Sequence, residues 1–144
     1  MSRERMVGTL RIVCESAQGL PRGSDGFMQI VLGTEKRRTR ASGANPRWNE
    51  TIELKGRLHD FLKPLSVSVL DDKQRQRGQP VVLGELSPVD LRQVLTQTDS
   101  RSFELDTANG IILCFSVEWA PLGGHGNSPP GRYGSPPGSG SRSP

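Results

Sequence analysis

The sequence is poor in the residues that build metal centres and covalent catalysis. Of 144 residues, two are cysteine and two histidine. Cys14 and Cys114 stand far apart, each in an apolar strand-like run, so there is no short-spaced pair of the kind that holds zinc. We read both as reduced core residues of an intracellular protein; a disulfide between them is the alternative. His59, in RLHDF, reads as a loop residue, and neither it nor His125 stands beside a candidate nucleophile. With no Gly-rich phosphate loop and no nucleophile motif, the chain reads as a binding module and not an enzyme. Aromatic residues make up only 5%. Phe27, Tyr133 and the two Trp are scattered instead of interleaved with basic residues, which argues against a nucleic-acid stacking platform. Long hydrophobic runs are missing too. The longest, Ile111 to Phe115, is strand-sized, so any membrane association is expected to be peripheral, at a cytosolic face. The opening MSRERMVG has charge but no hydrophobic stretch behind it and no Gly at position 2; it reads as neither a secretory signal nor a myristoylation site.

What is present is a moderate excess of positive charge, +4 with a pI near 9.6. That favours acidic partners such as anionic lipid, phosphoprotein or nucleic acid without choosing among them. Composition divides the chain at Pro121. Of the 24 residues from there to Pro144, 18 are Gly, Pro or Ser and none is acidic, so residues 121–144 read as a disordered tail and residues 1–120 as one folded domain. Ser-Pro pairs at 128–129, 135–136 and 143–144 are candidate sites for proline-directed kinases.

The first 120 residues predict short strands separated by turn chemistry. Leu10, Ile12 and Cys14 alternate with Thr9, Arg11 and Val13; Met28, Ile30 and Leu32 alternate with Phe27, Gln29 and Val31. Further strands are expected at 38–41, 49–55, 65–70, 81–86, 101–105 and 110–119, making an all-β, eight-stranded antiparallel sandwich. One short helix is predicted in SPVDLRQVL, with Ser87 as cap, Pro88 in the first turn and Asp90 near the positive end.

The stretch VLDDKQRQRGQPVVLGEL, residues 69–86, sets Asp71 and Asp72 directly before Lys73, Arg75 and Arg77. Its carboxylates look like the start of a metal loop, its cations like a surface for anions. The set GTLRIVCESAQGLP, SDGFMQIVLG, RTR, NPRWNETIEL, LSVSVLDD and VVLGEL resembles, in order over roughly residues 6–119, a C2 domain. The most specific piece is Asn45-Pro46-Arg47-Trp48-Asn49-Glu50, similar to that family's N-P-x-W-N-E entry into its fourth strand. In these six residues a structural role is expected: Pro46 fixes a turn and Trp48 seals the sandwich edge. The resemblance further implies the type II strand order, in which the last strand pairs with the first and Cys114 and Cys14 lie on neighbouring strands.

Many C2 domains hold calcium with aspartates from two loops, a site that needs 6–8 oxygen ligands. Here Asp25 matches the family's S-D-P-Y aspartate and Asp71 the first of its V-x-D-x-D pair, while Lys73 stands where the second belongs and Asp72 is an extra carboxylate between them. The resemblance therefore implies vestigial metal positions, no cofactor, and calcium binding that is weak at most. Two basic groups remain. One is Lys36, Arg38 and Arg40, with Thr39 pointing inward and Lys55 joining if strands three and four pair; the other is Lys73, Arg75 and Arg77. Either group alone is equally well explained as strand-edge solvation that discourages aggregation. Together they imply a calcium-independent, peripheral membrane-targeting module for anionic phospholipid or phosphoinositide. Pro80 and Val81 are the apolar residues nearest the loop, which argues for electrostatic docking over deep insertion. The alternative is a C2-type protein-interaction module with a regulatory tail, an arrangement similar to fungal cytokinesis ingression proteins.

Overall fold

The computed structural model describes residues 5–122; of the Gly/Pro/Ser-rich tail expected over residues 121–144, Pro121 ends the last strand and Leu122 follows it, and the rest lies outside the described residues. Strand β1, Val7–Gln18, follows the two-residue period read from the sequence: Leu10, Ile12 and Cys14 are fully buried. It sits at the centre of a four-stranded sheet of order β4-β1-β9-β8, where β4 is Arg47–Arg57, β8 is Ser100–Asp106 and β9 is Ile112–Pro121. The last strand thus pairs with the first, as the type II order requires. The second sheet has the order β3-β2-β5-β6, with β2 Gly26–Leu32, β3 Glu35–Arg38, β5 Pro64–Gln76 and β6 Gln79–Glu85. A ninth strand of two residues, β7 (Val89–Asp90), pairs with the start of β5. The pairs are antiparallel, and the inner faces of the two sheets meet in one core built from Leu10, Ile12, Ile30, Leu65, Val67, Leu113, Phe115 and Val117 among others.

Local chemistry explains the departures from the predicted boundaries. The third strand begins three residues earlier than expected because Gly33, at φ 61°, opens a two-residue turn that brings Glu35 opposite Leu32 at once. The ladder ends by Arg38, and buried Thr39 takes over: its hydroxyl accepts the Met28 N–H at 3.0 Å. The helix, α1 (Leu91–Leu95), is capped by Asp90 and not by Ser87. Asp90 accepts the N–H groups of Arg92 and Gln93 at 3.0 and 3.4 Å. Val89 is drawn into pairing with Leu65, so the chain stays extended for three residues past Ser87 before it can turn.

The NPRWNE run has a structural role. Trp48 is buried and its indole N–H donates to the Gly26 carbonyl at 3.1 Å, joining β4 of one sheet to β2 of the other. Asn49 takes φ 48°, a left-handed conformation that asparagine tolerates better than most residues, at an irregularity in the β1–β4 register.

The cysteines lie on neighbouring strands but on opposite faces. Cys14 points into the core; Cys114, opposite Ser16, is half-buried on the outer side and is not the core residue the sequence implied. Both are free thiols. Burial, and secondarily the charge of Glu50, pushes the Cys14 thiol up to about 12. In the folded protein iodoacetamide is therefore expected to spare Cys14 at pH 8, with modification there appearing only on unfolding, which peptide mass spectrometry resolves. Trp48→Phe, which removes the donor to Gly26, is expected to lower stability by about 1–2 kcal/mol in urea denaturation.

A candidate anion-binding face

Asp71 is charged by nature yet only 2% exposed, at the point where β5 leaves the sandwich. Its carboxylate is used by the backbone. Oδ1 accepts the N–H of Asp25 at 3.0 Å and that of Lys73 at 2.9 Å, so one oxygen ties together the loop before β2 and the continuation of β5. Asp25 passes the connection on: its own Oδ1 accepts the Gly43 N–H at 2.7 Å, and its carbonyl accepts the Asp72 N–H at 2.9 Å. Three separate stretches of chain are thereby held at one end of the sandwich by two carboxylates.

Beyond Asp71 the chain runs out as a hairpin. Arg77 and Gly78 form its turn with φ 56° and 80°, both positive as a type I′ turn demands, and Gln76 pairs with Gln79. The register slips between Asp71 and Arg75, so Asp72, Lys73 and Gln74 form a bulge. Asp72, the neighbour of inward Asp71, lies on the outer face of the second sheet, beside the Arg38 that covers Phe27. There Asp72 Oδ1 lies 3.3 Å from an Arg75 nitrogen and 3.6 Å from an Arg38 nitrogen.

Arg38 is held independently of that pairing. Its guanidinium carbon sits 3.6 Å from the centroid of the Phe27 ring, and its Nε donates to the Thr39 carbonyl at 3.0 Å. Arg75 has its own anchor, the Gly78 carbonyl, 3.3 Å from Nη1. Phe27 is buried but stands outside the main core; with Leu70 and Val82 it forms a cross-strand apolar row on the outer face of this sheet.

The structure joins one predicted cation from each group, Arg38 and Arg75, through Asp72. Lys36, Arg38 and Arg40 are exposed, Lys36 one strand period from Arg38 on the same outward side. Arg40 is anchored to Glu50, which accepts both its backbone N–H and its Nε. Lys73, Arg75 and Arg77 are exposed on the hairpin. Lys55 does not join them. Strands β3 and β4 belong to different sheets, and Lys55, opposite Thr9, lies on the outer side of the first sheet in the edge cleft with Glu35 and Arg37. Sequence reasoning missed Phe27 as the platform under Arg38; its outward parity beside a basic strand was the available signal. It also missed Val82, which is 51% exposed and presents more apolar surface beside the loop than Pro80 or Val81. His59 lies exposed in a 3-10 turn, Leu58–Phe61.

The remaining carboxylates do not suit calcium. Asp71 and Asp25 are engaged by backbone N–H groups, Asp72 faces two guanidinia, and Lys73 places a cation where a ligand belongs. Among the described residues no group of three or more His, Cys, Asp or Glu forms a plausible metal site. No helix among them is long and apolar enough to cross a membrane.

Comparison with known proteins agrees with this architecture. The C2 domain family profile matches residues 8–105. A calcium-bound structure of the tandem C2 domains of extended-synaptotagmin 2 superposes with a TM-score of 0.65 at 23% identity, covering 79% of this chain and 46% of that one. A C2 domain-containing protein superposes at 0.63 with 18% identity, over 88% of this chain and 98% of its own. Human GIVD cytosolic phospholipase A2 reaches 0.63 at 15% identity over 85% of this chain, but only 17% of the phospholipase is covered. At such identities the likeness is one of fold. The chain spans less than half the length of the extended-synaptotagmin chains it matches. No curated protein sequence matches it.

The carboxylate network makes a direct prediction. Asp71→Ala leaves the part-buried N–H groups of Asp25 and Lys73 without their acceptor and should cost about 1–3 kcal/mol in denaturant unfolding.

Proposed function

This chain belongs to the C2 domain family, and we propose that it serves as a calcium-independent, peripheral membrane-targeting module that docks on anionic phospholipid at a cytosolic membrane face. C2 domains are typically membrane- or protein-interaction modules. The observation that carries the reading is the meeting of Arg38 and Arg75 on Asp72 Oδ1, which joins the strand group and the loop group into one basic surface. Lys36, Arg40, Lys73 and Arg77 extend it, while Lys55 stands apart.

Each unmatched positive charge close to an anionic leaflet contributes about 1 kcal/mol; Asp72 and Glu50 offset part of the six cations, and the surplus supports attachment without a bridging ion. In a metal-dependent relative of this fold, calcium would supply positive charge at this end; here Lys73, Arg75 and Arg77 carry it covalently. Val82 is a single exposed apolar side chain, too little for deep insertion, so attachment is electrostatic and weakens with salt.

Sedimentation with vesicles of graded phosphoinositide content tests the reading. Equal pelleting in calcium and in chelator is expected, decreasing as salt rises. Lys36→Glu/Lys73→Glu, at two exposed positions drawn from the two groups, should weaken binding at least about ten-fold. Absence of pelleting at low salt would transfer the function to capture of a protein partner, and a requirement for calcium would overturn the account of the loops.

A further inference from the structure

Asp72 stands in an unusual position for a residue on a surface meant for anions. Its Oδ1 occupies the point on which two guanidinia from different strands converge, at 3.3 and 3.6 Å. If it served to position them, they would lack other anchors, yet each has its own. Arg38 is fixed by the Phe27 ring and the Thr39 carbonyl, Arg75 by the Gly78 carbonyl. Asp72 is itself fixed by its backbone, whose N–H donates to the Asp25 carbonyl at 2.9 Å, so its carboxylate is delivered to this point by the same loop network that Asp71 and Asp25 hold.

We infer that Asp72 is an internal competitor: its carboxylate fills the place that an oxygen of a phosphomonoester takes between Arg38 and Arg75, and it sets the affinity of that site. The chemistry fits a phosphomonoester. Two planar guanidinium forks present paired donors to tetrahedral phosphate oxygens. A phosphomonoester carries close to two negative charges at neutral pH, against one for the carboxylate it must displace. The ligand's source is either a free phosphate or a phosphorylated lipid headgroup. The inference rests on the membrane reading only for the second of these.

The test compares the full chain with Asp72→Asn and with a control, Glu85→Gln, which removes the same charge from exposed β6 on the same face, opposite Ser68. Each protein is titrated with inorganic phosphate, followed by the arginine side-chain NMR signals, and with vesicles carrying a phosphatidylinositol monophosphate. Asp72→Asn is expected to tighten binding by about five-fold or more, the factor worth one net charge at an anionic surface, and to exceed Glu85→Gln clearly. The gain should disappear in Asp72→Asn/Arg38→Ala. A gain with both probes, with vesicles alone or with inorganic phosphate alone supports the inference, the last assigning the site to free phosphate and vesicles alone to the headgroup. A gain no larger than that of Glu85→Gln overturns it while leaving the membrane reading intact, and weaker binding by Asp72→Asn overturns it by making Asp72 a positioning residue. Binding by Asp72→Asn where the unaltered chain fails to bind upholds the competitor and defeats the membrane reading. Failure of every protein with both probes defeats both.

Discussion

The loop end of the sandwich depends on one buried carboxylate oxygen. Asp71 Oδ1 collects the N–H groups of Asp25 and Lys73, and the rest of that end is arranged around this contact. A bound cation in such a place would draw carboxylates together and neutralise them. Asp71 achieves the mechanical half of that task with hydrogen bonds, a charge-assisted arrangement that substitutes backbone dipoles for an ion. Because Asp25 relays the tie to Gly43 and Asp72, the loop after β3, the loop before β2 and the base of the hairpin become one assembly. The hairpin that presents Lys73, Arg75 and Arg77 therefore has a fixed root.

Adjacent residues divide two roles there. Asp71 points inward and holds the backbone; Asp72 points outward and faces Arg38 and Arg75. The two-residue period of a strand makes such a division simple, since neighbours in sequence emerge on opposite sides. The same alternation accounts for Phe27 and Met28, of which one underlies Arg38 while the other packs into the core. An arginine laid on an aromatic ring has lost much of its rotamer freedom before any ligand arrives, so less ordering is required on binding.

Features set by local pattern were legible in the sequence. Alternation located β1 and β2, and the NPRWNE run located the entry to β4. What escaped depended on contacts between distant segments. Asp90, not Ser87, caps the helix because Val89 pairs with a strand 24 positions earlier in the sequence. Grouping Lys55 with Arg38 requires β3 to pair with β4, whereas the chain crosses from one sheet to the other between them. Cys114 looks like a core residue because Ile111, Ile112, Leu113 and Phe115 surround it; only register against β1 and β8 shows which parity faces outward. The period of β2 places Phe27 outward, but the arginine that covers it comes from the next strand.

The two outer faces of the sandwich handle charge differently, and this bears on orientation. On the first sheet, Arg11 lies between Glu53 at 2.8 Å and Glu118 at 3.4 Å, a ladder across β4, β1 and β9 in which the hydrogen bond to Glu53 raises the arginine's pKa further above its ordinary value. On that face Arg11 is matched by two carboxylates. On the second sheet the ratio is reversed, with Asp72 shared between two arginines and further cations alongside. Exposed ion pairs contribute little to stability, so the contrast is better understood through the field each face projects. A surface whose cations are already matched exerts little pull on an anionic plane, while one carboxylate divided between two guanidinia leaves positive potential over. In the membrane reading, that imbalance would turn the second sheet and the hairpin towards the lipid and leave the first sheet, with Cys114 on it, facing away.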